Sequence, residues 1–70
     1  MNAREMFKKL GYTNYKEYGN EAIIYYEPSE NYGIVFDLVH KYIDFGDGCM
    51  SVDDLKAINK QCEELGWLDE

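Results

Sequence analysis

Seventy residues carrying fourteen acids against seven bases, a net charge of −7, make a small acidic chain that is 46% hydrophobic and 16% aromatic. That apolar share excludes an intrinsically disordered segment, and the length excludes a deep active site, because a domain this small buries only about 60% of the surface of its unfolded chain. An acidic surface repels phosphate backbones, so direct nucleic-acid binding is disfavoured and basic protein grooves become the complementary partners.

The opening MNAREMFKKLGY predicts a short helix. Asn2 is placed to cap it, Glu5 falls at the capping-box position, Met1 can staple against Met6, and Gly11 ends it. Ala3, Met6, Phe7 and Leu10 form its apolar stripe, and Lys8 and Lys9 stand near the end where the helix dipole favours cations. The following segment, Thr13 to Asn20, has two readings: Tyr15 and Tyr18 extend the first strand, or they lie on a loop.

The hydrophobic period then changes from helical to two. AIIYYE (22–27), YGIVFDLV (32–39) and YIDF (42–45) read as three strands rich in branched and aromatic residues. Pro28 to Asn31 supply the first connection, and His40-Lys41 is short enough for a two-residue hairpin turn. In Asp44-Phe45-Gly46-Asp47-Gly48 the glycines leave ligand positions of a calcium loop empty, so this stretch is read as a turn leading to a second helix. Ser51 caps that helix with Asp54 in a variant capping box, Met50 can staple to Leu55, and Leu55, Ile58, Cys62 and Leu65 form its apolar face. Gly66 ends it. In both KKLGY and EELGW an aromatic follows the glycine, which predicts contacts of Tyr12 with Phe7 and of Trp67 with Cys62.

The expected fold is therefore a single α+β domain, α-β-β-β-α, with a three-stranded antiparallel sheet and both helices packed on one face. The other face is left open. With a two-residue turn at His40-Lys41, Asp37 falls directly opposite Asp44 on that open face, an unfavourable like-charge pair that suggests a surface with a task. Val35, Val39 and Tyr42 share the face, joined from the first strand by either Ile23 and Tyr25 or Ile24 and Tyr26. Tyrosine gives stiff, amphipathic contact area, so the face resembles an interface. Glu63, Glu64, Asp69 and Glu70 oppose the dipole of their own helix, a second unevenness.

Chemistry is sparse. His40, the sole histidine, is expected on a hairpin tip without an orienting partner or a pocket; Cys49 and Cys62 lack redox or zinc spacing and are expected as reduced thiols. No metal, no cofactor and no enzymatic activity are expected, since neither a zinc site nor a Gly-rich phosphate loop can be drawn. No apolar run reaches the roughly eighteen residues of a membrane span or reads as a signal peptide, so the expected location is cytoplasmic. Charge is uneven along the chain: residues 1–20 carry +2 and residues 21–70 carry −9.

NAREMFKKLGY, FDLVHKYI and DLKAINKQCEELGWL together resemble small acidic proteins encoded by phages and prophages of low-GC Gram-positive bacteria. The resemblance implies a host bacterial cell as the setting, and inhibition of a host enzyme or defence system, as anti-CRISPR proteins do, as the activity. The expected function is then a non-enzymatic inhibitor that docks a host protein with a basic groove. Asp37, Asp44, Tyr42, Val35 and Tyr25 form the contact, with Glu21 and Glu27 as further phosphate substitutes; residues two apart on a strand repeat at about 6.7 Å, near the phosphate spacing of a nucleic-acid strand. The alternative is a small-molecule binder that sequesters a nucleotide signal at a homodimer interface, with tyrosines stacking the base and Lys16 or Lys41 near the phosphates.

Overall fold

The structure, a computed structural model, describes residues 1–28, 32–46 and 50–68. The expected turn residues Ser29 to Asn31, the Asp47-Gly48-Cys49 end of the glycine turn, and Asp69 and Glu70 lie outside the described residues. Element order is α1 (Ala3–Lys9), β1 (Asn14–Tyr18), β2 (Ala22–Glu27), β3 (Tyr32–Asp37), β4 (Tyr42–Asp44) and α2 (Val52–Glu64). The class is α+β, with an antiparallel sheet of four strands in the order β1-β2-β3-β4 rather than three.

Local chemistry fixes the helix ends. Asn2 Oδ1 accepts the Glu5 N–H at 2.8 Å and Glu5 Oε1 accepts the Asn2 N–H at 3.0 Å; Ser51 and Asp54 make the same reciprocal pair on α2. Such caps supply acceptors for N–H groups that have no partner inside the helix. At the other ends Tyr12 N–H donates to the Phe7 carbonyl at 3.0 Å and Trp67 N–H to the Cys62 carbonyl at 2.9 Å, with Gly11 (φ 106) and Gly66 (φ 77) turning left-handed to allow it. The Phe7 and Tyr12 rings meet edge to face at 5.5 Å, as the Schellman pattern predicts.

The fourth strand comes from the segment with two readings. Thr13 to Asn20 is mostly β1, paired with β2 from Asn14↔Tyr26 to Tyr18↔Ala22. Tyr15 and Glu17 of this strand share the helix side, but only Tyr15 is part-buried, its ring 5.2 Å from Tyr25, so the strand shows little hydrophobic alternation. The chain reverses after Tyr18 through Gly19 (φ 52), and the Glu21 N–H closes the turn on the Tyr18 carbonyl at 2.9 Å.

Ile23 and Tyr25 of β2 and Ile34 and Phe36 of β3 face the helices and form one core with Phe7, Tyr12, Ala57, Ile58 and Cys62. Tyr25 lies at its centre: its ring stacks on Phe7 at 4.0 Å, Phe36 meets both edge-on at 6.1 Å, and its hydroxyl donates to Gln61 Oε1 at 2.6 Å. Burial raises the Tyr25 phenol well above its ordinary value, so the group stays a neutral donor. Gln61 is buried with its amide oxygen engaged, whereas Leu55, expected on the inner face of α2, is 55% exposed. Cys62 is a buried free thiol.

The helices run antiparallel and are joined at both ends. Glu64 Oε2 accepts the Ala3 N–H at 2.8 Å, and Tyr12 Oη donates to Asp54 Oδ1 at 3.3 Å. Glu64 thus opposes its own helix dipole while meeting the positive end of α1, which gives that acid a structural role.

The buried Tyr25–Gln61 pair yields a stability prediction. Gln61→Ala leaves the Tyr25 hydroxyl without its acceptor and should cost about 1–3 kcal/mol in urea unfolding, whereas Tyr25→Phe combined with Gln61→Leu should lie close to wild type.

Candidate functional site

The antiparallel register sorts the sheet's side chains. Asn14, Lys16 and Tyr18 of β1, Ala22, Ile24 and Tyr26 of β2, Val35 and Asp37 of β3, and Tyr42 and Asp44 of β4 share the face opposite the helices. Tyr18 and Tyr42 are 50% and 57% exposed, while Ile24, Tyr26 and Val35 are half-buried among their neighbours. The close approach of Tyr26 to its cross-strand partner Gly33 depends on the missing side chain, since a Cβ there would stand 3.3 Å from the Tyr26 ring. Beside it, Asn14, Lys16, Tyr18, Ile24 and Tyr26 line a shallow depression of about 330 Å³.

The expected Asp37–Asp44 opposition does not occur. Asp37 pairs with Tyr42 and Asp44 with Val35, so the two acids share the face as diagonal neighbours. The cause is the turn, which spans the four residues Leu38 to Lys41 instead of two. Asp37 Oδ1 accepts the N–H groups of Val39 and His40, both at 2.9 Å, and the Lys41 N–H returns to the Asp37 carbonyl at 2.9 Å. Lys41 takes the left-handed conformation (φ 60) that completes this wider reversal. Hydrogen bonds from the His40 backbone and side chain, then from the Val39 backbone, hold the Asp37 carboxyl below its ordinary range. Asp44 works similarly: its Oδ1 accepts the Gly46 N–H at 3.0 Å, where the chain turns through a left-handed glycine (φ 81). The opening half of the glycine-rich stretch is thus a side-chain-closed turn.

His40 also departs from expectation. Its Nδ1 lies 3.2 Å from Asp37 Oδ2 and its ring stacks on Tyr42 at 6.0 Å, so it has an orienting carboxylate. The pair stands on a turn with the imidazole 68% exposed, without the walls that exclude water from a reaction centre. Among the described residues no three His, Cys, Asp or Glu side chains converge as a metal site.

Three other expected contact residues sit elsewhere. Tyr25, 1% exposed, belongs to the core because the odd-numbered residues of β2 face the helices. Glu27 shares that parity and lies against Gly11, where a Cβ would stand 2.6 Å from its Oε2. Glu21 is exposed in the β1–β2 turn, next to the Ala22↔Asp37 end of the sheet, with its carbonyl accepting the Leu38 N–H at 2.9 Å. Val35, Tyr42, Asp37 and Asp44 are brought together; Glu27 and Tyr25 are not.

Comparison with protein-family models, curated proteins and solved structures finds no match. Among the described residues, no helix is long and apolar enough to cross a membrane. One face of the sheet lies under the two helices and the other presents tyrosine, aliphatic and carboxylate side chains.

The residue missed by sequence reasoning is Tyr18, which lies on this face because β1 is a strand. Its signal was the two-residue spacing to Lys16 and Asn14, masked by the absence of apolar alternation.

The Asp37 turn makes a pH prediction. Because its folded-state pKa is depressed, the stability contributed by the ionised carboxylate is complete above the ordinary carboxylate value near pH 4 and is lost as pH falls through the lower folded value. Asp37→Asn keeps an acceptor oxygen without the charge. The urea-midpoint difference between wild type and Asp37→Asn should therefore shrink as the solution is acidified, and Asp37→Ala should be less stable than Asp37→Asn at neutral pH.

Proposed function

We propose that this chain is a non-enzymatic binding protein that lays the open face of its sheet into a cationic groove of a protein partner and inhibits it by occupancy. The observation that carries this reading is the exposure of Tyr18 and Tyr42 on a face flanked by Asp37, Asp44 and Glu21, in a chain of net charge −7. Tyrosines in such a position offer large contact area at low conformational cost, and the acids steer a positively charged surface toward them. Lys16 and Lys41 moderate the local charge, so the contact is amphipathic rather than a continuous acidic track.

The geometry narrows the phosphate-substitution idea. With Glu27 on the helix side, the acids form no single row; Asp37 and Asp44 hold diagonal strand positions about 7–8 Å apart, each carboxylate turned toward its own adjacent turn. Resemblance of the chain ends to small phage and prophage proteins supports a host target, and a nucleic-acid-handling defence effector has the cationic groove this face would complement.

The test uses surface variants that spare the fold. Asp37→Asn with Asp44→Asn keeps the turn acceptors while removing two charges, and Tyr42→Ala removes the exposed ring. Partner capture from a bacterial lysate should weaken by more than about tenfold with Tyr42→Ala, weaken with the double Asn variant, and fall steeply as salt rises; Asn59→Ala, on exposed α2, should leave it unchanged. Capture that ignores salt and all the sheet-face variants contradicts the proposal, as does a stable homodimer that buries Tyr42 against its own copy.

A further inference from the structure

A second surface feature runs against the charge of the chain. Between α1 and the edge strand β1 lies an open cleft of about 530 Å³, whose lining includes Arg4, Lys8, Thr13, Asn14, Tyr15 and Lys16. Three of the seven basic residues of a protein with fourteen acids line it, Arg4 and Lys8 from α1 and Lys16 from the edge strand. Arg4 and Lys8 are one helical turn apart on the same face of α1, where like charges repel.

Nearby acids do not neutralise them. Among the described residues Arg4, Lys8 and Lys16 have no carboxylate within the 4.0 Å of a salt bridge, and none of their side-chain N–H groups donates a hydrogen bond to a described acceptor. Glu64 is engaged by the Ala3 N–H at 2.8 Å, and Glu17 lies beside the Tyr15 hydroxyl, whose pKa is raised first by burial and then by that charge. The Arg4 guanidinium is held over the Tyr15 ring, 4.1 Å from its centroid, an arrangement that fixes its position and leaves its N–H donors available. Thr13 and Asn14 complete the same wall. The cleft has the size of a small-molecule site, several times the volume of one phosphate group.

We infer that this cleft binds a small organic phosphate, with the phosphate groups between Arg4, Lys8 and Lys16 and the organic part along the Thr13–Tyr15 wall. The cleft wraps the free edge of β1, where Lys16 and Asn14 also border the depression on the open sheet face. A net charge of −7 opposes polyanion binding overall, so the attraction must come from a local gathering of cations.

Calorimetric titration of the full chain with ATP, pyrophosphate and adenosine tests it. ATP and pyrophosphate should bind, more weakly as salt rises, and adenosine should not. Lys8→Gln and Lys16→Gln should each weaken ATP by about tenfold, the loss of one charge-assisted contact, while Lys9→Gln and Lys56→Gln should stay within about twofold of wild type. Amide shifts of the unmodified chain provide the readout that does not depend on variants: ATP should move Thr13 to Lys16 and leave Val39 to Asp44 in place. Absence of binding by both anions at millimolar concentration, equal loss with Lys9→Gln, or shifts confined to Val39 to Asp44 would each overturn the inference.

Discussion

Tyr25 is the point through which the structure is connected. Its ring lies against Phe7 of α1 at 4.0 Å, its edge meets Phe36 of β3, and its hydroxyl reaches Gln61 of α2 at 2.6 Å. One side chain on β2 thereby fixes both helices to the same face of the sheet. In a chain of seventy residues, where few side chains can be fully buried, an aromatic that combines large apolar area with a satisfied polar tip contributes disproportionately. The terminal contacts, Ala3 to Glu64 and Tyr12 to Asp54, then set the antiparallel alignment of the helices.

The asymmetry of the sheet follows from that arrangement. Once the odd-numbered residues of β2 and the even-numbered residues Ile34 and Phe36 of β3 are committed to the core, Ile24, Tyr26, Val35 and Tyr42 must lie on the other side. The result is an amphipathic face, apolar at Ile24, Tyr26 and Val35 and interrupted by Lys16, Asp37 and Asp44. The acids have local duties as well, closing the turns after β3 and β4. The hydrogen bonds that close the Asp37 turn also favour its ionised form, which is the form the proposed docking would use.

What the sequence made legible was what neighbouring residues decide. Both capping boxes and both left-handed glycine ends were readable because each involves residues three to five apart. The misreadings came where a distant or less conspicuous group decided. The β3–β4 register depended on the Asp37 side chain binding two backbone N–H groups and on Lys41 adopting a left-handed conformation, a state more typical of glycine. In Ile23-Ile24-Tyr25-Tyr26 both faces of the strand are equally apolar, so only packing against Phe7 selects Tyr25 as the buried ring. Gln61 was invisible as a core residue because its partner is thirty-six positions away. The excess of positive charge in residues 1–20 was legible, but its gathering in one cleft required β1 to be a strand beside α1.

The central claim is that one face of the sheet is sealed by the helices and the other meets solvent within a single protomer. Paramagnetic relaxation from an inert, water-soluble probe measures this directly at a concentration where the chain is monomeric. The account predicts strong relaxation of side-chain protons of Tyr18 and Tyr42, with Ile23, Tyr25 and Ile34 protected. Equal protection of both sets, or strong relaxation of Tyr25 with Tyr42 shielded, would contradict it.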